Sequence, residues 1–151
     1  MRGGFDGAVV LDAFAGSGAL GVEALSRGAS FSCFCERDRA ALAALEENTS
    51  FLKRDAYRIV RGDVLKRAPS DAGPFDIVFF DPPYALDPQL LADLLFVFDA
   101  QGDLCEGTIV SYEHDARAGE GALLNSGCTL ELVVAKTYGD TTIDLYRKAR
   151  L

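Results

Sequence analysis

Phe75-Asp76-Ile77-Val78-Phe79-Phe80-Asp81-Pro82-Pro83-Tyr84 is the stretch from which the fold of this 151-residue chain can be worked out. Its first six residues are mostly apolar without alternation, which is typical of a strand buried on both faces of a parallel sheet. The strand must end after Phe80, because proline can neither continue a central strand nor donate a hydrogen bond to a neighbouring one. Ligands of open α/β sheets bind beyond the carboxyl ends of the strands, so the four residues that follow are a candidate active site.

Strands and helices alternate along the chain on both sides of this stretch. Apolar runs predict strands at residues 8–14, 31–35, 57–60, 75–80, 108–112, 128–137 and 142–147, and helical periodicity predicts helices at 19–27, 38–52 and 88–98. Only the turn-forming residues 138–141 separate the last two strands, which must therefore pair as an antiparallel hairpin. We predict a single α/β domain, residues 1–151, with a mostly parallel seven-stranded sheet, helices on both faces and a C-terminal antiparallel hairpin.

Composition restricts the class of protein further. Hydrophobic residues make up 49% of the chain and charged residues 25%, and no apolar run approaches the ~20 residues of a membrane span, so no membrane association is expected. The four cysteines form no CxxC pair and have no zinc-ligand spacing with His114, which predicts a reduced, cytoplasmic protein without a metal. The net charge of −8 gives no global attraction for a polyanion, so nucleic-acid binding would require a local basic patch.

The glycine-rich turn after the first strand predicts a ligand. Residues 16–21, Gly-Ser-Gly-Ala-Leu-Gly, match GxGxxG, and Glu36 follows about 20 residues later, so a dinucleotide fits the pattern. Two features favour S-adenosyl-L-methionine instead. Asp12 ends the first strand, where its carboxylate could engage a ligand's ammonium group but would repel a pyrophosphate, and hydride transfer has no evident use for residues 81–84. A dinucleotide-binding oxidoreductase, or an inactive binding module, is the alternative from another class.

Residues 81–84 suit an exocyclic amino group as the methyl acceptor. Asp81 and the carbonyl of Pro82 could accept the two amino hydrogens and so direct the nitrogen lone pair at the methyl group. Consecutive prolines at 82 and 83 keep the backbone stiff at this point. Tyr84 offers a ring on which a base can stack once it has left its helix or loop.

Residues 12–18 together with residues 81–84 resemble the class I S-adenosylmethionine-dependent methyltransferases that modify exocyclic amino groups. The chain is most similar to the RsmD family of 16S rRNA guanine-N2 methyltransferases, through residues 18–29, 75–79 and 136–141, and the resemblance extends from Val9 to Tyr146. It implies a Rossmann-like methyltransferase fold and transfer of methyl from S-adenosyl-L-methionine to the 2-amino group of a guanine in 16S rRNA. Because DNA adenine and cytosine amino-methyltransferases share the 81–84 motif, an enzyme acting on DNA or on a protein glutamine remains open.

The resemblance also implies a role for each matching residue. The methionine part of the cofactor would be held by Asp12 and the turn formed by Phe14, Ala15, Gly16, Ser17 and Gly18. Glu36 would accept the ribose hydroxyls and Arg37 would pack beside the adenine, while Asp63 would accept from the adenine amino group with Val64 alongside. The catalytic residues would be Asp81, Pro82, Pro83 and Tyr84.

The implied partner is 16S rRNA or the small ribosomal subunit. The oligomeric state stays open, with a monomer favoured. Members of the family normally carry a segment ahead of the first strand, and seven residues precede Ala8 here. We therefore expect the family's N-terminal extension to be absent.

Overall fold

The computed structural model describes residues 4–150, so residues 1–3 and 151 of the predicted domain lie outside the described part. Strands and helices alternate as predicted. In chain order the elements are β1 Val9–Asp12, α1 Ala19–Ser26, β2 Phe31–Glu36, α2 Arg39–Thr49, β3 Tyr57–Arg61, β4 Phe75–Phe80, α3 Pro88–Ala100, β5 Leu104–Asp115, β6 Leu130–Tyr138 and β7 Thr141–Lys148.

One seven-stranded sheet has the order β3-β2-β1-β4-β5-β7-β6, which confirms the predicted fold. The pairings from β3 to β5 are parallel, and β7 pairs antiparallel with both β5 and β6. The chain runs outward from β1 to β3 and then returns to β4 on the other side of β1. The strand order therefore reverses between β1 and β4, where open α/β sheets bind their ligands.

Helices cover both faces of the sheet. On one face Ala24 of α1 packs with Val10 and Ile77, and Leu45 of α2 packs against Phe34. The opposite face carries α3 and the largest apolar cluster, which includes Leu91, Leu95, Val78 and Phe80. Burial of these apolar side chains on two faces is what holds the central strands between helices.

Local signals set three helix ends close to their predicted positions, whereas α2 ends at Thr49, three residues before the predicted end. The side chain of Asp38 accepts a hydrogen bond from the Ala41 N–H and caps α2. Pro88 lies in the first turn of α3, directly after Asp87 as its N-cap. Gly28 follows the C-cap of α1 with φ 108°, a left-handed conformation that glycine adopts without a Cβ clash.

Strand β5 has twelve residues, much longer than the predicted 108–112. Its pairing with β4 shifts register between Phe75 and Ile77, opposite Leu104 and Ile109. The Thr108 hydroxyl spans this irregularity by donating to the Phe75 carbonyl at 2.7 Å and accepting from the Cys105 N–H at 2.9 Å. The predicted strand began only after Gly107, which has φ 88°, because glycine normally interrupts a strand pattern.

Among residues 4–150 there is no helix with the length and apolar character needed to cross a membrane. In the same residues, no group of three or more His, Cys, Asp or Glu side chains is arranged to hold a metal ion.

Candidate functional site

The turn between β1 and α1 forms one wall of the site, and two of its glycines are required by geometry. Gly16 has φ 56° and Gly18 has φ 91°. A Cβ on Gly18 would lie 2.5 Å from Cδ1 of Leu45, so α1 can approach the sheet and α2 only with glycine there. No atom lies within 4 Å of a Cβ placed on Gly16, and that side of the turn faces open space.

Asp12 lies beneath this turn. Its side chain is 1% exposed, and Oδ2 accepts the N–H of Gly21 in the first turn of α1 at 3.0 Å. Asp12 is not among the residues that line the cavity above it. Burial, opposed by the Gly21 hydrogen bond, raises the pKa of Asp12 from 3.8 to about 6, with the nearby Glu36 charge adding to the shift.

The raised pKa of Asp12 predicts a pH dependence of stability. A carboxyl whose folded pKa is raised stabilises the fold most below its unfolded pKa, and this stabilisation is lost as the pH rises through about 6. The loss between pH 4 and 7 should be about 3 kcal/mol in the free energy of unfolding. Asp12→Asn keeps an oxygen for the Gly21 N–H and should remove this part of the pH dependence.

Urea unfolding of the wild type and Asp12→Asn at several values between pH 4 and 7.5 measures the effect. Asp93→Asn is the matched control, since Asp93 is an exposed carboxylate on α3. Equal pH dependence in wild type and Asp12→Asn would show that the buried carboxyl titrates as in the unfolded chain.

Glu36 joins the turn to the end of β2. Its Oε1 accepts the N–H of Gly16 at 2.7 Å, and its Oε2 accepts the N–H groups of Arg37 and Asp38 at 2.8 and 2.9 Å. Three backbone donors on one carboxylate hold it in a single orientation at the edge of the cavity. Glu36, the last residue of β2, is the residue predicted to recognise the ribose.

Arg37, Asp63 and Val64 lie together on the far side of Glu36. Nη1 of Arg37 lies 3.3 Å from Oδ2 of Asp63, while Oδ1 of Asp63 accepts the Leu65 N–H at 3.0 Å. Val64 is 3% exposed and contributes an apolar surface beside them. Arg37 therefore pairs with the carboxylate that was predicted to accept from the adenine.

A cavity of about 690 Å³ lies between the turn, the end of β2, the segment after β3 and the residues that follow β4. The predicted site residues that line it are Phe14, Ala15, Gly16, Ser17, Glu36, Arg37, Asp63, Val64, Asp81, Pro82 and Pro83. Asp12 and Gly18 are behind its wall, and Tyr84 does not reach it. Leu65 and Leu86 also line the cavity, although the sequence did not single them out.

Residues 81–84 leave the sheet after β4 and form a boundary between two cavities. The backbone turns at once, with the Leu86 N–H donating to the Pro83 carbonyl at 3.0 Å. No backbone N–H of residues 4–150 donates to the carbonyl of Pro82. That oxygen is thus available to accept a hydrogen bond from a ligand.

The second cavity has a volume of about 150 Å³ and shares Asp81, Pro82, Pro83 and Leu86 with the first. Its other lining residues are Tyr84, Tyr112, Glu113, His114 and Thr141. The Tyr84 ring is 66% exposed at its entrance, with the hydroxyl 3.5 Å from the Asp140 carbonyl oxygen. A small aromatic group could enter from solvent and reach Asp81 here.

Glu113 is the functional candidate that sequence reasoning missed. Its carboxyl lies within hydrogen-bonding reach of Asp81. Partial desolvation raises the pKa of Asp81 from 3.8 to about 7, with further contributions from the Glu113 carboxyl and from Asp12. The nearby Glu113 carboxyl therefore disfavours ionisation of Asp81. The acids at the end of the predicted fifth strand were the available signal.

A model of the family described as "Conserved hypothetical protein 95" matches residues 1–147 of the chain. The chain belongs to this family. The membership confirms the resemblance to RsmD-like methyltransferases found from the sequence, and it favours a methyltransferase over a dinucleotide-binding oxidoreductase.

Several relatives of the chain are named as methyltransferases. The chain is 36% identical over 148 residues to "Putative rRNA methyltransferase YlbH" of Bacillus subtilis, an alignment that covers 95% of this chain and 78% of the relative. It is 36% identical over 109 residues to "Ribosomal RNA small subunit methyltransferase D" of Escherichia coli K12, covering 72% of this chain and 54% of that protein. The solved structure of "Putative methyltransferase yhhF" from Escherichia coli superimposes with a TM-score of 0.82 at 31% identity, covering 96% of this chain and 78% of the other.

Proposed function

We propose that the protein transfers a methyl group from S-adenosyl-L-methionine to the exocyclic 2-amino group of a guanine in 16S rRNA. The observation that carries the proposal is the junction of the two cavities at Asp81, Pro82 and Pro83. A donor bound in the larger cavity and a base bound in the smaller one would meet at these residues. The names of the family's rRNA methyltransferases support the choice of reaction and substrate.

The residues lining the larger cavity fit S-adenosylmethionine. Glu36 presents an oriented carboxylate for two ribose hydroxyls, and Val64 with Leu65 offers an apolar surface for the adenine. Asp63 can accept from the adenine amino group if Arg37 releases it. Asp12 acts from beneath, through its hydrogen bond to α1. When bound, the cofactor supplies an electrophilic methyl carbon on a sulfonium, whose carbon–sulfur bonding pair stays with sulfur on transfer.

Residues 81–84 make the acceptor nitrogen competent. The lone pair of an exocyclic amino group is delocalised into its ring, so the amine is a poor nucleophile. Hydrogen bonds from its two hydrogens to Asp81 and to the Pro82 carbonyl would fix the direction of the lone pair. After the new nitrogen–carbon bond forms, the nitrogen must lose a proton, and the Asp81 carboxylate is its nearest acceptor.

Ribosomal RNA as the substrate is compatible with an acidic protein only if local contacts supply the attraction. The net charge is −8, but cationic side chains are concentrated in residues 53–67, at Lys53, Arg54, Arg58, Arg61, Lys66 and Arg67. Of these, Arg61 pairs with Glu46. We propose the small subunit or its rRNA as the partner, the cytoplasm as the location and a monomer as the acting form. Binding should weaken steeply with added salt if these cations contact phosphates.

Transfer of labelled methyl from S-adenosylmethionine tests the proposal directly. The protein is incubated with small ribosomal subunits, with naked 16S rRNA and with DNA, and the label is located by nucleoside digestion and chromatography. We expect label in N2-methylguanosine from 16S rRNA. Label in DNA adenine or cytosine would overturn the substrate, and no transfer to any nucleic acid or to protein glutamine would overturn the reaction. Calorimetry with S-adenosylmethionine and NAD distinguishes a methyltransferase from a dinucleotide-binding protein.

A further inference from the structure

The smaller cavity contains a second carboxylate that the proposed reaction has not used. Strands β4 and β5 are parallel, and Phe80 is paired with Tyr112 at the end of their shared register. Asp81 and Glu113 each follow one residue later, so their side chains leave neighbouring strands at the same edge of the sheet. Both line the smaller cavity, with Tyr84 at its entrance.

Glu113 is held in place by the sheet rather than by a loop. It is paired with Ile143 of β7. The next residue in the strand, His114, has a buried ring that packs on Tyr112 with centroids 4.7 Å apart, and its Nε2 lies 3.2 Å from Oδ2 of Asp144. A side chain on a rigid, buried strand end can define the position of a bound group more accurately than one on a flexible segment.

Asp81 and Glu113 form a polar wall of the smaller cavity, and their carboxylate oxygens can accept hydrogen bonds. Among the described residues that line this cavity there is no lysine or arginine. With both carboxyl groups ionised, this wall requires two neighbouring donors from the ligand. Without such donors the two carboxyl groups repel each other, which contributes to the raised pKa of Asp81.

Guanine alone among the bases with an exocyclic amino group presents two adjacent donors on its Watson–Crick edge, the N1–H and the 2-amino group. In adenine and cytosine the amino group lies beside an unprotonated ring nitrogen. That lone pair would face a carboxylate, which is repulsive and leaves the carboxylate without a donor.

We propose that Glu113 is a specificity-determining residue, whose carboxylate accepts the N1–H of the target guanine while Asp81 accepts from its 2-amino group. The inference rests on the proposed function and names the feature that selects guanine over adenine and cytosine. Bound guanine would present two donors, one for each carboxylate.

The test uses 2-aminopurine, which keeps the 2-amino group but has an unprotonated N1. An RNA fragment spanning the guanine located by the methyl-transfer experiment is prepared with guanine or 2-aminopurine at that position, and is assembled into subunits if inert alone. The wild type should prefer guanine by about 10- to 100-fold in kcat/KM. Glu113→Gln should lower activity on guanine and reduce this preference at least about 10-fold, because a carboxamide can donate to the unprotonated N1.

Glu106→Gln is the matched control, since Glu106 is an exposed acid near the other end of β5, and its preference should equal that of the wild type. Equal losses on both substrates, or unchanged activity on both, in Glu113→Gln would overturn the inference.

Wild-type protein gives an independent measurement. A fragment with inosine, which keeps N1–H without the amino group, should inhibit more strongly than one with adenosine, and equal inhibition would contradict the role of Glu113. Absence of guanine methylation by the wild type would refute the proposed function itself.

Discussion

An Asp81→Ala variant is expected to lose about 100- to 1,000-fold in kcat for methyl transfer while binding S-adenosylmethionine as the wild type does. Asp81 lines both cavities and is the only predicted catalytic side chain with an acceptor at their junction. Alanine leaves the Pro82 carbonyl as the single acceptor for the amino group. The nitrogen lone pair is then free to rotate away from the methyl group, and the alignment that supports transfer is lost.

The same variant should be at least as stable as the wild type. Asp81 is held beside Glu113, and removing one of two neighbouring carboxyl groups relieves their repulsion. Single-turnover methyl transfer, calorimetric cofactor binding and thermal unfolding are the three measurements. Asp93→Ala serves as the control for loss of an exposed acidic side chain outside both cavities. Full activity in Asp81→Ala would eliminate the mechanism, whereas loss of cofactor binding would place Asp81 in the donor site instead.

The sequence predicts those parts of the site that depend on residues close together in the chain. The prolines at 82 and 83 end β4 by local sterics, so the position of the motif at a strand end needed no tertiary information. The hairpin of β6 and β7 was equally local, because a turn as short as residues 138–141 permits only antiparallel pairing. Alternation of elements then determined the class of sheet.

Glu113 could not be anticipated because its place depends on register. The sequence shows an acid after a predicted strand, but only the pairing of Phe80 with Tyr112 sets it beside Asp81. That pairing lies beyond a register shift opposite Gly107, which no periodicity reports. A shift of one residue would have turned Glu113 to the other face of the sheet.

The directions of the Asp12 and Glu36 side chains could not be predicted from the sequence either. Both are acids at the ends of neighbouring strands, and the sequence predicted ligand contact for each. The Asp12 carboxylate points beneath the turn to a single backbone donor and has a raised pKa. Glu36 instead receives three backbone donors and lines the cavity. The difference arises from where the chain turns, which is a property of the folded backbone.

Glu36 therefore provides the second large effect. A Glu36→Gln variant is expected to bind S-adenosylmethionine and S-adenosylhomocysteine about 100-fold more weakly, a loss within the range for breaking a charged, hydrogen-bonded contact. The carboxamide has one oxygen, so its NH₂ group must face either the Gly16 N–H or the Arg37 and Asp38 N–H groups. An NH₂ group that faces a backbone N–H loosens the turn. The same substitution also removes one acceptor for the ribose hydroxyls.

Two readouts separate these contributions of Glu36. Titration calorimetry with S-adenosylhomocysteine measures the ligand contact, and urea unfolding without ligand measures the turn, where we expect a loss of about 1–3 kcal/mol in the free energy of unfolding. Glu47→Gln, an exposed acid on α2, is the matched control and should change neither. A lower stability with unchanged affinity would make Glu36 a support for the turn only. The reverse result would mean that the turn keeps its shape without the carboxylate, and that Glu36 acts on the ligand alone.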